Sequence, residues 1–95
     1  MNFDIGHFYC VSEPLAEAVD RLAPYIDHVH IEDIAGSRVH HHMVPGDGAI
    51  DFTEPLNALQ RVGYDGWVTV ELYTSIADPD TAGRRAREHL LPILP

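Results

Sequence analysis

The sequence predicts an α/β fold in which strand–helix units feed one parallel sheet. Three observations predict it: apolar runs too short for helices, a helical pattern following each run, and polar–apolar alternation within the runs. The first run ends at Phe3-Asp4-Ile5, the second covers residues 26–31 and the third covers residues 67–72. The first helical pattern takes Ser12 as its N-cap, has Glu13 and Pro14 in its first turn, and carries Leu15, Ala18, Val19 and Leu22 on one face before Pro24 closes it. The second begins at Asp51 or Thr53, with Pro55 favouring a Thr53 cap, and presents Leu56, Leu59 and Val62 before Gly63 stops it. The third starts at Asp78-Pro79 and runs to about Leu91, with Ala82, Ala86, Leu90 and Leu91 as its apolar side.

Strand parity assigns faces. Side chains alternate across a sheet, so Val29 and Ile31 share one face of the second strand while His28 and His30 share the other. On the third strand Val68 and Val70 oppose Thr69 and Glu71. The apolar faces are expected to pack on the helices, leaving His30 and Glu71 on the polar face near the C-terminal strand ends. A faint repeat supports this: Ser12-Glu13-Pro14-Leu15 resembles Thr53-Glu54-Pro55-Leu56, and the same offset aligns His30 with Glu71. It places those two residues at equivalent heights on equivalent strands.

Composition narrows the function classes. Ninety-five residues form one domain, and 45% apolar content is ordinary for a globular chain. A net charge of −9 argues against gripping a nucleic-acid backbone and is compatible with a bound cation. One cysteine, Cys10, allows no internal disulfide, which fits a cytoplasmic protein. No apolar run approaches the ~18 residues that span a bilayer, and the Met1-Asn2-Phe3-Asp4 start lacks signal-peptide character. The expected partner is a small molecule, with neither nucleic acid nor membrane.

Several residues could carry chemistry. Asp4 and His7 lie three apart at the end of the first strand, where a carboxylate and an imidazole can reach one metal or two adjacent ones; the alternative is a helix-entry turn with a solvated histidine. A histidine within a strand is usually a hydrogen-bonded structural residue, and His28 is read so; His30 gains weight from Glu32 and Asp33 after it and from Glu71. The loop from Arg38 to Gly48 contains His40-His41-His42, in which alternate rings His40 and His42 point the same way if the segment is extended. They could bind a metal or an anionic substrate group, the alternative being an exposed polar loop. Glu71 ends an apolar, β-branched strand with few basic partners in the sequence. A buried carboxylate without a partner is costly, which favours a metal-ligand or acid/base role.

Taken together these pieces resemble the xylose isomerase-like superfamily, which includes sugar phosphate isomerases and epimerases, hydroxypyruvate isomerase, ketose 3-epimerases and endonuclease IV. The resemblance rests on Asp4-Ile5-Gly6-His7, on His28-Val29-His30-Ile31-Glu32-Asp33, on Pro45-Gly46-Asp47-Gly48-Ala49-Ile50-Asp51-Phe52, and on Gly63-Tyr64-Asp65-Gly66 leading into Val70-Glu71. It implies a partial TIM (β/α)8 barrel, with residues 1–95 as the C-terminal portion holding about the last three βα units. It further implies a divalent metal (Mn2+, Mg2+, Co2+ or Zn2+) held by Asp4, His30 and Glu71, with Glu71 also exchanging protons with substrate. His7, His42 and His40 would contact the substrate, a sugar or sugar phosphate. In the endonuclease, a zinc-binding Asp-x-His pair stands where this chain has His40 and His42, so that zinc role does not transfer directly.

The implied chemistry is sugar isomerisation or epimerisation on a hydroxy-ketone or aldose, with the metal as Lewis acid. The family's first metal-ligand glutamate comes from an earlier strand, before the matched segment. The isolated chain is therefore expected to be inactive alone, and either to self-associate or to need an N-terminal half-barrel. The competing readings are a non-catalytic truncated barrel fragment that at most binds metal and, less favoured, an endonuclease IV-like DNA-repair enzyme, against which the acidic charge counts.

Overall fold

The computed structural model describes residues 1–75 and 77–95. Strands β1 (Asn2–Asp4), β2 (His28–Ile31) and β3 (Val68–Val70) form one parallel sheet in the order β1-β2-β3. Helices α1 (Ile5–Cys10), α2 (Leu15–Leu22), α3 (Thr53–Arg61) and α4 (Pro79–Leu90) accompany it, with 3-10 turns at Ala23–Tyr25 and Leu91–Ile93. The expected α/β class and parallel sheet are therefore present.

The helix-side face is built as parity dictates. Phe3, Val29 and Ile31 are fully buried and cluster with Leu15, Ala18 and Val19 of α2, Leu56, Ala58 and Leu59 of α3, and Leu90 of α4. Burying such side chains contributes about 1.5–3 kcal/mol each. A smaller cluster joins Val44 to Ala82 and Ala86 of α4, with Val70 and Leu72 packed against it. Leu91, expected on the apolar side of α4, is 46% exposed, because the helix gives way to the 3-10 turn at that residue.

Helix starts differ from expectation in instructive ways. α1 is a helix that the hydrophobic pattern hides: it is six residues long and contains Gly6. It forms because Asp4 caps it, accepting from the His7 N–H at 3.0 Å. Ser12 is not the cap of α2. It sits at φ 61 just beyond α1, where its N–H donates to the Tyr9 carbonyl, and Pro14 takes the N-cap position. The Ala16 N–H finds its acceptor on α3 instead, at Glu54 Oε1, 3.4 Å away. Thr53 is the first residue of α3 rather than its cap, and its N–H donates to Asp51 Oδ1 at 3.0 Å. Asp78 caps α4 as expected, accepting from the Thr81 N–H at 3.2 Å, with Pro79 opening the helix. Among the described residues no helix is long and apolar enough to cross a membrane.

Candidate metal and substrate site

The polar face of the sheet carries the candidate site at the C-terminal strand ends. Register pairs Asp4 with His30 and His30 with Thr69. Glu71 thus lies two residues beyond the partner of His30, not at the same height as the repeat implied. A two-residue step preserves the face, so the side chains still meet. His30 Nδ1 lies 3.3 Å from Glu71 Oε2, and Asp4, His30 and Glu71 each offer a ligand atom within 4.8 Å of the others. His28, one step down the same face, hydrogen-bonds through Nε2 to Thr69 Oγ1 at 2.8 Å, in keeping with a structural role.

The histidine loop closes over this face. Asp33 organises it: Oδ1 accepts from the N–H groups of Ile34 and Ile50 at 2.9 and 3.1 Å, and Oδ2 accepts from those of Gly46 and Gly48, both at 2.9 Å. Position 48 admits only glycine in this arrangement, since a Cβ there would stand 2.4 Å from Asp33 Oδ1 and 2.6 Å from the Ile34 carbonyl. Asp33 and Met43 also exchange backbone hydrogen bonds of 2.8 Å each. Thus tethered, the extended stretch before Met43 turns His42 inward, where it is 2% exposed, and leaves His41 outside. His40 shares the side of His42, with their Nε2 atoms 3.0 Å apart. The ring of exposed His7 stands edge-on to that of His40, centroids 4.7 Å apart, and His7, His40 and His42 also converge within 4.8 Å.

Glu32 is the residue that the sequence reading left without a role. It is fully buried, and neither carboxylate oxygen has a hydrogen-bond donor. Parity extended one step past His28 and His30 would have aimed it at the site. Its carboxylate is wedged under the first turn of α1, where a Cβ on Gly6 would fall 2.1 Å from Oε1. It reaches both clusters: one group of converging ligand atoms is Asp4, His7 and Glu32, another is Glu32, His42 and Glu71.

Charge states follow from this crowding. Burial, a hydrogen bond to Asp4, and the negative charges of Asp4 and Glu71 push Glu32 up to about 9. A proton on Glu32 supplies the donor that two ionised carboxylates lack, which reconciles its orphaned oxygens with its pairing to Asp4. Burial alone would raise Asp4; the Glu32 hydrogen bond, the His7 N–H and the His7 and His42 rings outweigh it and hold Asp4 below the usual range. Burial lowers His42 despite the opposing pull of Glu71, which keeps its ring neutral.

Such an assembly of carboxylates and imidazoles suits a divalent cation, and the unpartnered Glu32 oxygens fit the same chemistry. The comparisons with known proteins agree with the sequence resemblance. The xylose isomerase-like TIM barrel family matches residues 1–93. An inosose dehydratase of Lacticaseibacillus casei is 32% identical over 94% of this chain and 34% of its own length. A fructoselysine 3-epimerase of Escherichia coli O157:H7 is 33% identical over 97% of this chain and 34% of its own. An inosose dehydratase of Yersinia enterocolitica is 33% identical over 93% of the chain and 37% of its own. The chain thus spans about a third of the length of these curated relatives. It belongs to the xylose isomerase-like TIM barrel family.

Proposed function

We propose that this chain supplies the metal-binding and proton-transfer face of a cytoplasmic sugar or sugar-phosphate isomerase or epimerase, and that residues 1–95 correspond to the C-terminal portion of its barrel. The carrying observation is the convergence of Asp4, His30 and Glu71 within 4.8 Å at the ends of adjacent parallel strands, the end at which active sites of this barrel class sit. The relatives' activities, a dehydration of an inosose and a 3-epimerisation of fructoselysine, support the class. Removing water and inverting one carbon are both reactions that proton abstraction beside a carbonyl can begin.

In this reading Asp4, His30 and Glu71 hold a divalent cation (Mn2+, Mg2+, Co2+ or Zn2+), which supplies Lewis-acid polarisation of substrate oxygens. Glu71, half-exposed where the other two carboxylates, Asp4 and Glu32, are buried, takes a proton from the substrate carbon and returns it. His30 holds the Glu71 carboxylate in place from 3.3 Å. Asp4 is fixed by its cap bond to α1, which leaves its second oxygen for the site. His7, His40 and His42 line one side of the site, where imidazole nitrogens can hydrogen-bond to substrate hydroxyls. The net charge of −9 favours a neutral or metal-bridged small molecule over nucleic acid.

Calorimetric titration with Mn2+ tests the reading. The wild-type chain should bind, and Glu71→Ala and His30→Ala should each weaken binding by about tenfold or more. Equal affinity in all three proteins would move the site elsewhere.

A further inference from the structure

We infer that Glu32, His42 and Glu71 form a second divalent-cation site behind the first, with Glu71 shared between the two. Glu32 is fully buried and its two oxygens lack any donor among the described residues. Such a group needs either a proton or a cation. In the cation-free fold the proton shared with Asp4 serves, and the geometry around Glu32 also fits a cation that would take its place.

His42 is oriented as a ligand. Its Nδ1 lies 3.0 Å from the Glu71 carbonyl oxygen. A carbonyl only accepts, so Nδ1 carries the hydrogen and Nε2 keeps a lone pair, which in the cation-free fold accepts from His40 Nε2 at 3.0 Å. Fixing one ring nitrogen on a carbonyl so that the other faces a metal is a recurrent second-shell device. Tyr73 packs on the same ring, centroids 4.2 Å apart, and Thr74 Oγ1 donates to the His42 carbonyl at 2.7 Å.

The same Nε2 also lies beside Glu32, so a cation seated between them would replace the His40 hydrogen bond. His42 Nε2 and Glu32 Oε1 are 3.6 Å apart, too far for a hydrogen bond. Ligand bonds of about 2.1 Å meeting at a tetrahedral angle place two donor atoms roughly 3.4 Å apart. The observed gap matches a bridged pair. A Glu71 carboxylate oxygen completes three donors within 4.8 Å of one another, leaving an open position for water or substrate. Two carboxylates and one imidazole suit Zn2+, Co2+ or Mn2+. Gly6 is what makes room for the carboxylate, since any larger residue would collide with it.

This inference deepens the proposed function; the two cation sites share only Glu71, and His42 belongs to the substrate-facing histidines and not to the first cation site, so the two can fail separately. Equilibrium dialysis against Co2+, with bound metal quantified by atomic spectroscopy and folding checked by circular dichroism, decides. The wild-type chain should bind about two equivalents, and Glu32→Gln, His42→Gln and His30→Ala should each bind about one. In the first two variants the remaining ion should be lost on adding His30→Ala. A wild-type stoichiometry of one that Glu32→Gln leaves unchanged and His30→Ala abolishes would overturn the second site while sparing the first. Two equivalents retained in Glu32→Gln would also overturn it, assigning the extra ion to exposed His7 and His40. No bound cobalt in the wild type would overturn both sites.

Discussion

Replacing Glu32 by glutamine should stabilise the metal-free protein, and the gain should grow with pH. Glu32 is raised from 4.5 to about 9 by burial and by Asp4. Between those values the folded state holds one more proton than the unfolded state. Stability therefore falls as pH rises through that window and levels off above it. Each pH unit in the window costs about 1.4 kcal/mol at full effect. At neutral pH, about 2.5 units above the unfolded value, the cost is about 3 kcal/mol, a large share of the stability of a small domain. Glutamine has the shape of the protonated acid. Its amide can donate to Asp4 while its oxygen accepts, and it needs no proton. Urea denaturation of both proteins in a chelator, from about pH 5.5 to about pH 8.5, should show the difference widening by about 1 kcal/mol per unit. Shifts at His42 and Asp4 largely cancel in the comparison because both proteins keep them. Parallel stability curves would show that Glu32 ionises freely in the fold and would refute the reasoning.

Two further outcomes follow from backbone satisfaction. Asp33→Ala strips the acceptors from four backbone N–H groups and should cost about 3–5 kcal/mol, seen as a lower urea midpoint, with His42 becoming reactive to diethyl pyrocarbonate as its loop loosens; an unchanged midpoint would mean that the loop is held some other way. Asp78→Ala removes the α4 cap bond to Thr81 and should cost about 1 kcal/mol without altering Mn2+ affinity, so a drop in affinity would contradict the separation of α4's start from the site.

The strands and their faces were legible because parity needs only local sequence: Val29 and Ile31 lie on the helix-packed face and His28 and His30 on the opposite face, as read. Parity put His30 and Glu71 on the polar face, the family resemblance joined Asp4 to them, and their convergence needed only neighbouring parallel strands. What sequence did not show was relational. α1 is too short and too rich in aromatics and glycine to give a periodic signal, and its existence depends on the Asp4 cap, which also displaced Ser12 from its expected role. The height of Glu71 relative to His30 depended on sheet register, which a helix-start offset does not measure. Glu32 was missed because a lone glutamate after a strand usually reads as solvent-facing. The folded loop from Asp33 to Gly48 and the first turn of α1 together enclose it. Fold membership explains why these groups assemble, while the chemistry rests on the side chains themselves.

The central claim is that Asp4, His30 and Glu71 hold one divalent cation. Substoichiometric Mn2+ added to the 15N-labelled chain broadens the amide signals nearest the bound ion. The account predicts that the signals of Asp4, His30, Thr69 and Glu71 fade first, with those of α2 and α3 preserved, and that in His30→Ala the fading of Asp4 and Thr69 is lost while any remaining effect centres on Glu32, His42 and Glu71. Broadening centred on surface acids such as Asp20 or Asp65, or the same pattern retained in His30→Ala, would contradict it.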